Sequence, residues 1–159
     1  MVRQITLTLG SWLLVTASAL AFSDFEPGSF KGFDSLVSTA TNWQNQSGST
    51  MTITVDGAGN VTGQYINRAA NTGCMNSPYQ ISGRVNGNFI SFSVAWSNGA
   101  ENCNSVTGWT GFAKMNSNSL QIVTDWNLAY QSPSVPTIQK GSDTFTYQPT
   151  LRTTSLLKK

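Results

Sequence analysis

The sequence predicts an all-β fold, an eight-stranded antiparallel up-and-down barrel, on three observations. Past the first twenty-one residues no segment sustains a helical period, and short runs of apolar–polar alternation recur instead. Those runs are separated mainly by short Gly-, Asn-, Ser- and Asp-bearing turns, which join neighbouring strands as hairpins. There are eight such runs, and a meander of eight closes on itself and so removes the exposed edges that an open sheet would leave. A two-sheet sandwich is the competing architecture for the same pattern.

Residues 1–21 carry Arg3, an apolar run from Leu7 to Leu20 and the small-residue end Ala19-Leu20-Ala21. That order is the pattern of a secretory signal, the alternative being a buried N-terminal helix, and the run is short for a membrane span. Residues 22–40 are polar, Gly/Ser-rich and read as an irregular segment lying loosely on the surface. The barrel is expected over 41–150, with strands at 41–46, 50–56, 60–67, 79–85, 89–97, 106–115, 119–130 and 143–148.

The second strand shows the alternation most plainly, as Thr50-Met51-Thr52-Ile53-Thr54-Val55. Asp56-Gly57-Ala58-Gly59-Asn60 and Asn116-Ser117-Asn118 read as turns, and Asn86-Gly87 as a two-residue hairpin, since both positions tolerate positive φ. Two connections are longer, at 68–78 and 98–105, and each holds one cysteine, Cys74 or Cys103. An even count in an exported chain favours a disulfide over two free thiols. Both connections follow odd-numbered strands, so a Cys74–Cys103 bond would tie two loops at one rim. Residues 151–159 read as a mobile tail, with Leu156 and Leu157 able to touch a pocket mouth on the same or a neighbouring molecule.

Composition excludes several function classes. Without residues 1–21 the chain has eight basic and seven acidic residues, a balance that offers no basic patch for nucleic acid. No later apolar run reaches membrane length. There is no histidine, which removes the commonest general base, and two cysteines alone make a poor zinc site. Lysines show no pairing with a nucleophile, and among the few carboxylates only Asp125 and Asp143 fall in strand patterns. No phosphate-cradling glycine loop is present. The chain reads as a binding protein and not as an enzyme, with no metal and no cofactor.

The binding candidates lie in aromatic and polar company. Residues 43–49, Trp-Gln-Asn-Gln-Ser-Gly-Ser, place an indole, amides and hydroxyls at a strand end. Small-ligand sites are mostly apolar hollows with a few placed polar groups, which fits that arrangement. Trp43, Trp96, Trp109 and Trp126 all fall on expected strands, where an inward indole serves as core or as ligand wall. Ser105, Thr107 and Trp109 share one face of their strand, stacking two hydroxyls and an indole from rim to interior. Buried hydroxyls need partners, which a polar ligand, the backbone or water would supply.

Seven stretches together resemble the avidin/streptavidin family of biotin-binding barrels: 43–49, Val61-Thr-Gly-Gln-Tyr65, Ile81-Ser-Gly-Arg84, Val94-Ala-Trp-Ser-Asn98, Ser105-Val-Thr-Gly-Trp109-Thr-Gly111, Trp126-Asn-Leu128 and Asp143-Thr-Phe145. They cover nearly all of the chain after residue 21, in the family's order. The likeness is greatest to the short bacterial dimeric avidins, through Asn67-Arg68-Ala69, the two loop cysteines and Glu101-Asn102-Cys103-Asn104-Ser105. The resemblance implies that Asn45, Ser49 and Tyr65 donate to the ureido oxygen of biotin, and that Asn67 and Asp143 accept from its two N–H groups. It implies Thr107 near the thioether sulfur, Trp96, Trp109 and Trp126 walling the ring and chain with Leu128 behind, and Ser105 and the Asn71 N–H meeting the carboxylate. Trp43 is expected in the core. Tetrameric avidins lend a tryptophan to a neighbour from the segment before the last strand; here that segment, Ser132 to Gly141, has none, with Val135 near the position. A secreted or periplasmic homodimer that binds biotin follows. A lipocalin-like or lectin-like carrier of another small molecule, or an inhibitor or adhesion module, are the alternatives.

Overall fold

A computed structural model describes residues 26–149. Eight strands form a closed barrel: β1 (Thr41–Asn45), β2 (Thr50–Val55), β3 (Asn60–Ile66), β4 (Pro78–Asn86), β5 (Phe89–Ser97), β6 (Asn102–Asn116), β7 (Ser119–Gln131) and β8 (Pro136–Gln148). Each strand pairs antiparallel with the next, and β1 pairs with β8 from Asn42↔Gln148 to Asn45↔Phe145 to close the ring. No α-helix occurs among the described residues.

The alternation in sequence becomes alternation in burial. Along β5 every second residue is buried: Ile90, Phe92, Val94 and Trp96 point inward. Because the chain runs up and down, the connections 46–49, 67–77, 98–101 and 132–135 gather at one end, which is open. Toward the other end the interior is filled by Ile53, Val55, Val61, Ile90, Leu120 and Ile122, all nearly inaccessible. The core therefore fills the closed half and leaves the open half for a site. Trp43 belongs to this core: it is 1% exposed, and its indole Nε1 donates to Thr41 Oγ1 at 2.9 Å.

Several strand ends differ from the sequence reading. β8 begins at Pro136 and not at 143, and β6 begins at Asn102 and not at 106. The segment before the last strand thus shrinks to residues 132–135, and Cys103 lies on a strand end and not in a loop. Pro136, Lys140 and Gly141 look like turn residues, yet the ladder Trp126↔Gly141 to Gln131↔Pro136 is continuous. Pro136 is tolerated because it stands at the first residue of its strand. The β4–β5 hairpin is shifted by one: Asn86 pairs with Phe89, so Gly87 and Asn88 make the turn, and only Gly87 takes positive φ, at 57°. Glycine at the first central position is the chemistry of a II′ turn.

Residues 32–38 are firmly attached. The short 3-10 turn at Phe33–Leu36 plugs the closed end, with Phe33 and Leu36 buried; the turn at Pro27–Ser29 buries no residue, and Phe30 after it lies edge-on to Phe33 at 5.6 Å. The Phe33 N–H donates to Gly87 O at 2.9 Å and the Ser38 N–H to Val55 O at 2.8 Å. The burial of two large side chains overrides the polar composition around them. The expected signal and tail, residues 1–21 and 151–159, lie outside the described residues.

Candidate functional site

At the open end lies a cavity of about 220 Å³. Its floor is polar and its walls are aromatic. The residues on its floor come from four strands or strand ends: Asn45 closes β1, Ser49 precedes β2, Tyr65 is the last but one of β3 and Asp143 sits midway along β8.

Asp143 organises the floor. Its Oδ1 accepts from Asn45 Nδ2 at 3.1 Å and from Gln46 Nε2 at 2.9 Å, and its Oδ2 accepts from the Trp109 indole Nε1 at 2.8 Å. An ionised carboxylate has about four acceptor positions, so this one keeps room for one further donor. Asn45 is fixed by its own turn: its Oδ1 accepts from the backbone N–H groups of Ser47 at 3.1 Å and Ser49 at 2.9 Å. That spends the oxygen and leaves the Nδ2 side for Asp143 and Tyr65, the latter at 3.4 Å.

Ser49 and Tyr65 complete a set of donors. The Ser49 hydroxyl accepts from the Arg68 N–H at 2.9 Å and donates to Asn67 Oδ1 at a long 3.5 Å, a contact weak enough to exchange for a better acceptor. The Tyr65 phenol is pushed well above its usual value, first by burial and then by the Asp143 charge, with the Ser49 hydrogen bond opposing. It therefore stays protonated and remains a donor.

Asn67 supplies an acceptor. Both amide N–H groups are spent, on Thr72 Oγ1 at 2.8 Å and Gly73 O at 2.9 Å, while Oδ1 also accepts from the Ala69 N–H at 3.0 Å. The oxygen is the part of this side chain that retains capacity for a ligand.

The walls are held as firmly. Trp96 Nε1 donates to Thr107 Oγ1 at 2.7 Å, leaving the Thr107 proton for another partner. Trp96 is buried at a register irregularity between Ala95 and Ser97, and bulges of this kind re-aim side chains. Trp109 stacks between Tyr65 and Phe92, at centroid distances of 5.3 and 5.0 Å. Trp126 lies across its register partner Gly141, where any Cβ would collide with the indole. The Cys74–Cys103 disulfide, Cα atoms 6.1 Å apart, forms part of the rim and pins the 67–77 connection to the start of β6. Glu101 braces it: Oε1 accepts from the Cys74 N–H and Oε2 from the Tyr79 hydroxyl, both at 3.3 Å.

The structure brings Asn45, Ser49, Tyr65, Asn67, Trp96, Ser105, Thr107, Trp109, Trp126, Leu128 and Asp143 to this one cavity. Asn71 is not among the lining residues: it takes a left-handed φ of 62°, and its neighbours Thr72 and Gly73 line the cavity. Sequence reasoning also missed Ser47 and Ala69 in the lining, the role of both cysteines as wall, and Gln46 and Gly141 behind it. The signal for Ser47 was its place within 43–49; Gly141 offered none, because the sequence reading begins the last strand only at 143.

A closed eight-stranded barrel with a polar floor, indole walls and one open mouth defines a small-molecule binding protein. Residues 34–148 match the model of the Avidin family, and the chain belongs to that family. Afifavidin from Afifella pfennigii is 50% identical over 135 residues, covering 84% of each chain. The crystal structure of rhizavidin is similar with a TM-score of 0.80 and 60% identity over 84% of this chain and all of that one. A crystal structure of the rhizavidin–biotin complex aligns at TM-score 0.73 and 62% identity, covering 74% of this chain and 98% of that one.

Proposed function

We propose that this protein binds biotin in the open end of its barrel, without chemistry on the ligand and without a cofactor. One observation carries the reading. Donors Asn45, Ser49 and Tyr65 stand on the floor together with acceptors Asp143 and Asn67, beneath an indole slot. A cyclic urea presents the complement: one oxygen that accepts, flanked by two N–H groups that donate. Three donors on that oxygen draw charge onto it, and a carboxylate at an N–H favours the same polarisation, which strengthens each bond inside a dry site. The bicyclic ring then fills the slot between Trp96, Trp109 and Trp126. The chain leads past Leu128 toward Ser105, Thr72 and Gly73 at the mouth. The biotin complexes of rhizavidin and of short afifavidin support this reading. Family membership counts against a lipocalin-like or lectin-like carrier of another molecule.

Titration with biotin at micromolar protein is expected to change tryptophan fluorescence saturably at one site per chain. No saturable change, and no heat by calorimetry, would refute the reading.

The disulfide supports a secreted or periplasmic location, since such bonds persist in oxidising compartments. A homodimer is the assembly we favour. On the outer face Ala95, Val106, Ala129 and Ile138 are register partners in one row across β5–β8, and Val106 and Ile138 are 47% and 65% exposed. Such a row on a sheet face suits a second copy of the chain. Ile138→Glu is expected to halve the mass seen by light scattering at micromolar concentration. A native protein that is already monomeric, or a variant still dimeric, would remove this face as the interface.

A further inference from the structure

Gln46 stands just past the end of β1, exposed and outside the cavity lining, yet it makes three hydrogen bonds to three consecutive residues of β8. Its Nε2 donates to Ser142 O at 3.2 Å and to Asp143 Oδ1 at 2.9 Å, and its Oε1 accepts from the Thr144 N–H at 3.0 Å. The backbone ladder between β1 and β8 stops at Asn45↔Phe145, because the chain turns away at 46–49. The side-chain amide of Gln46 takes over from it. One end accepts and the other donates, as a peptide group one step further along the strand would.

We infer that Gln46 is a positioning residue for the ligand, acting through Asp143. This rests on the biotin reading above. From the interior, Asn45 and Trp109 hold the carboxylate; from the outer side only Gln46 does so among the described residues. The three donors leave the carboxylate one acceptor position, and their arrangement fixes where that position points. Taking Gln46 away frees the outer side of Oδ1 for water and lets the carboxylate turn, so that an acceptor set in advance becomes one that must be ordered on binding. A hydrogen bond to a charged group is the strong kind, and its loss shows where the geometry of that charge matters.

The experiment compares the native chain, Gln46→Leu, Asp143→Ala and the double variant, with biotin as ligand and affinity as the primary readout. Gln46→Leu is expected to weaken binding about ten- to a hundredfold in the native background and by less than about twofold once Asp143 is alanine. In the ligand-free protein, the Trp109 indole N–H resonance is expected to shift in Gln46→Leu, while that of Trp96, bonded to Thr107, holds its position. A turn staple that served stability alone would lower the melting temperature, cost affinity equally in both backgrounds and leave the Trp109 resonance in place. That pattern, or unchanged affinity in Gln46→Leu, overturns the inference. A native protein without saturable biotin binding overturns the biotin reading first and this inference with it; native binding without coupling between Gln46 and Asp143 overturns this inference alone.

Discussion

Asp143→Ala is expected to weaken biotin binding by about 30-fold to several thousandfold, since truncating one member of a buried charged contact costs about 2–5 kcal/mol. Three effects act in the same direction. The ligand N–H loses its charged acceptor. The polarisation of the ureido group loses its source, so the bonds from Asn45, Ser49 and Tyr65 to the oxygen weaken with it. Trp109 Nε1 and Asn45 Nδ2, both on buried residues, lose the oxygens they now donate to. The cost to folding should be smaller than the cost to binding. The vacated space opens onto the cavity mouth, and water entering there partly satisfies the stranded donors. Asp143→Asn separates charge from shape: it keeps one oxygen but turns an N–H toward either Trp109 or Asn45, where a donor already stands. Dissociation constants and melting temperatures of the two variants check this. Affinity of Asp143→Ala within about threefold of the native protein would remove Asp143 from the contact set.

Hairpin chemistry and period-two burial made the barrel legible from the chain alone. The stretch Thr50 to Val55 and the run of β5 announce their inward faces without any tertiary knowledge. Other features depended on contacts that sequence does not carry. Gly141 reads as a turn, but it is the seat on which Trp126 lies, and nothing near residue 141 says that residue 126 is its neighbour. The plug was hidden because Phe33 and Leu36 are two apolar residues in a polar stretch, and their burial follows from the barrel having an end to fill. In the site, strand parity was enough to gather Ser105, Thr107 and Trp109, whereas the 67–77 connection follows no period. Asn71 takes a left-handed φ there, and the Asn67 amide bonds Thr72 and Gly73 across the turn, contacts that no local pattern announces. Gln46 was passed over for a similar reason: its partners are 96 to 98 positions away.

Replacing both Cys74 and Cys103 by serine is expected to lower stability and affinity together. The bond spans 29 positions, and closing a loop of that length in the unfolded chain is worth about 3–4 kcal/mol in the chain-entropy model. The effect on binding has a different origin. Asn67, Ala69, Thr72, Gly73 and Cys74 all line the cavity, and all lie in or beside the segment that the bond holds against β6. Freed, this segment must be ordered when ligand arrives, at about 0.5–1.5 kcal/mol for each side chain immobilised, so two or three side chains amount to roughly ten- to a thousandfold in affinity. Glu101 sets a limit on the loss, because its bonds to the Cys74 N–H and the Tyr79 hydroxyl survive the exchange to serine and keep part of the tie. Adding Glu101→Gln to the double-serine variant should therefore weaken biotin binding further, while Glu101→Gln in the disulfide-bonded protein should cost little. Linkage makes the relation reciprocal: if the closed bond tightens the ligand, bound ligand favours the closed bond by the same factor. Saturating biotin should accordingly shift the thiol–disulfide equilibrium in a glutathione buffer toward the disulfide. A double-serine variant that binds biotin as the native protein does would show that the rim is ordered by Asn67 and Glu101 alone, and the shift in the glutathione buffer should then be absent as well.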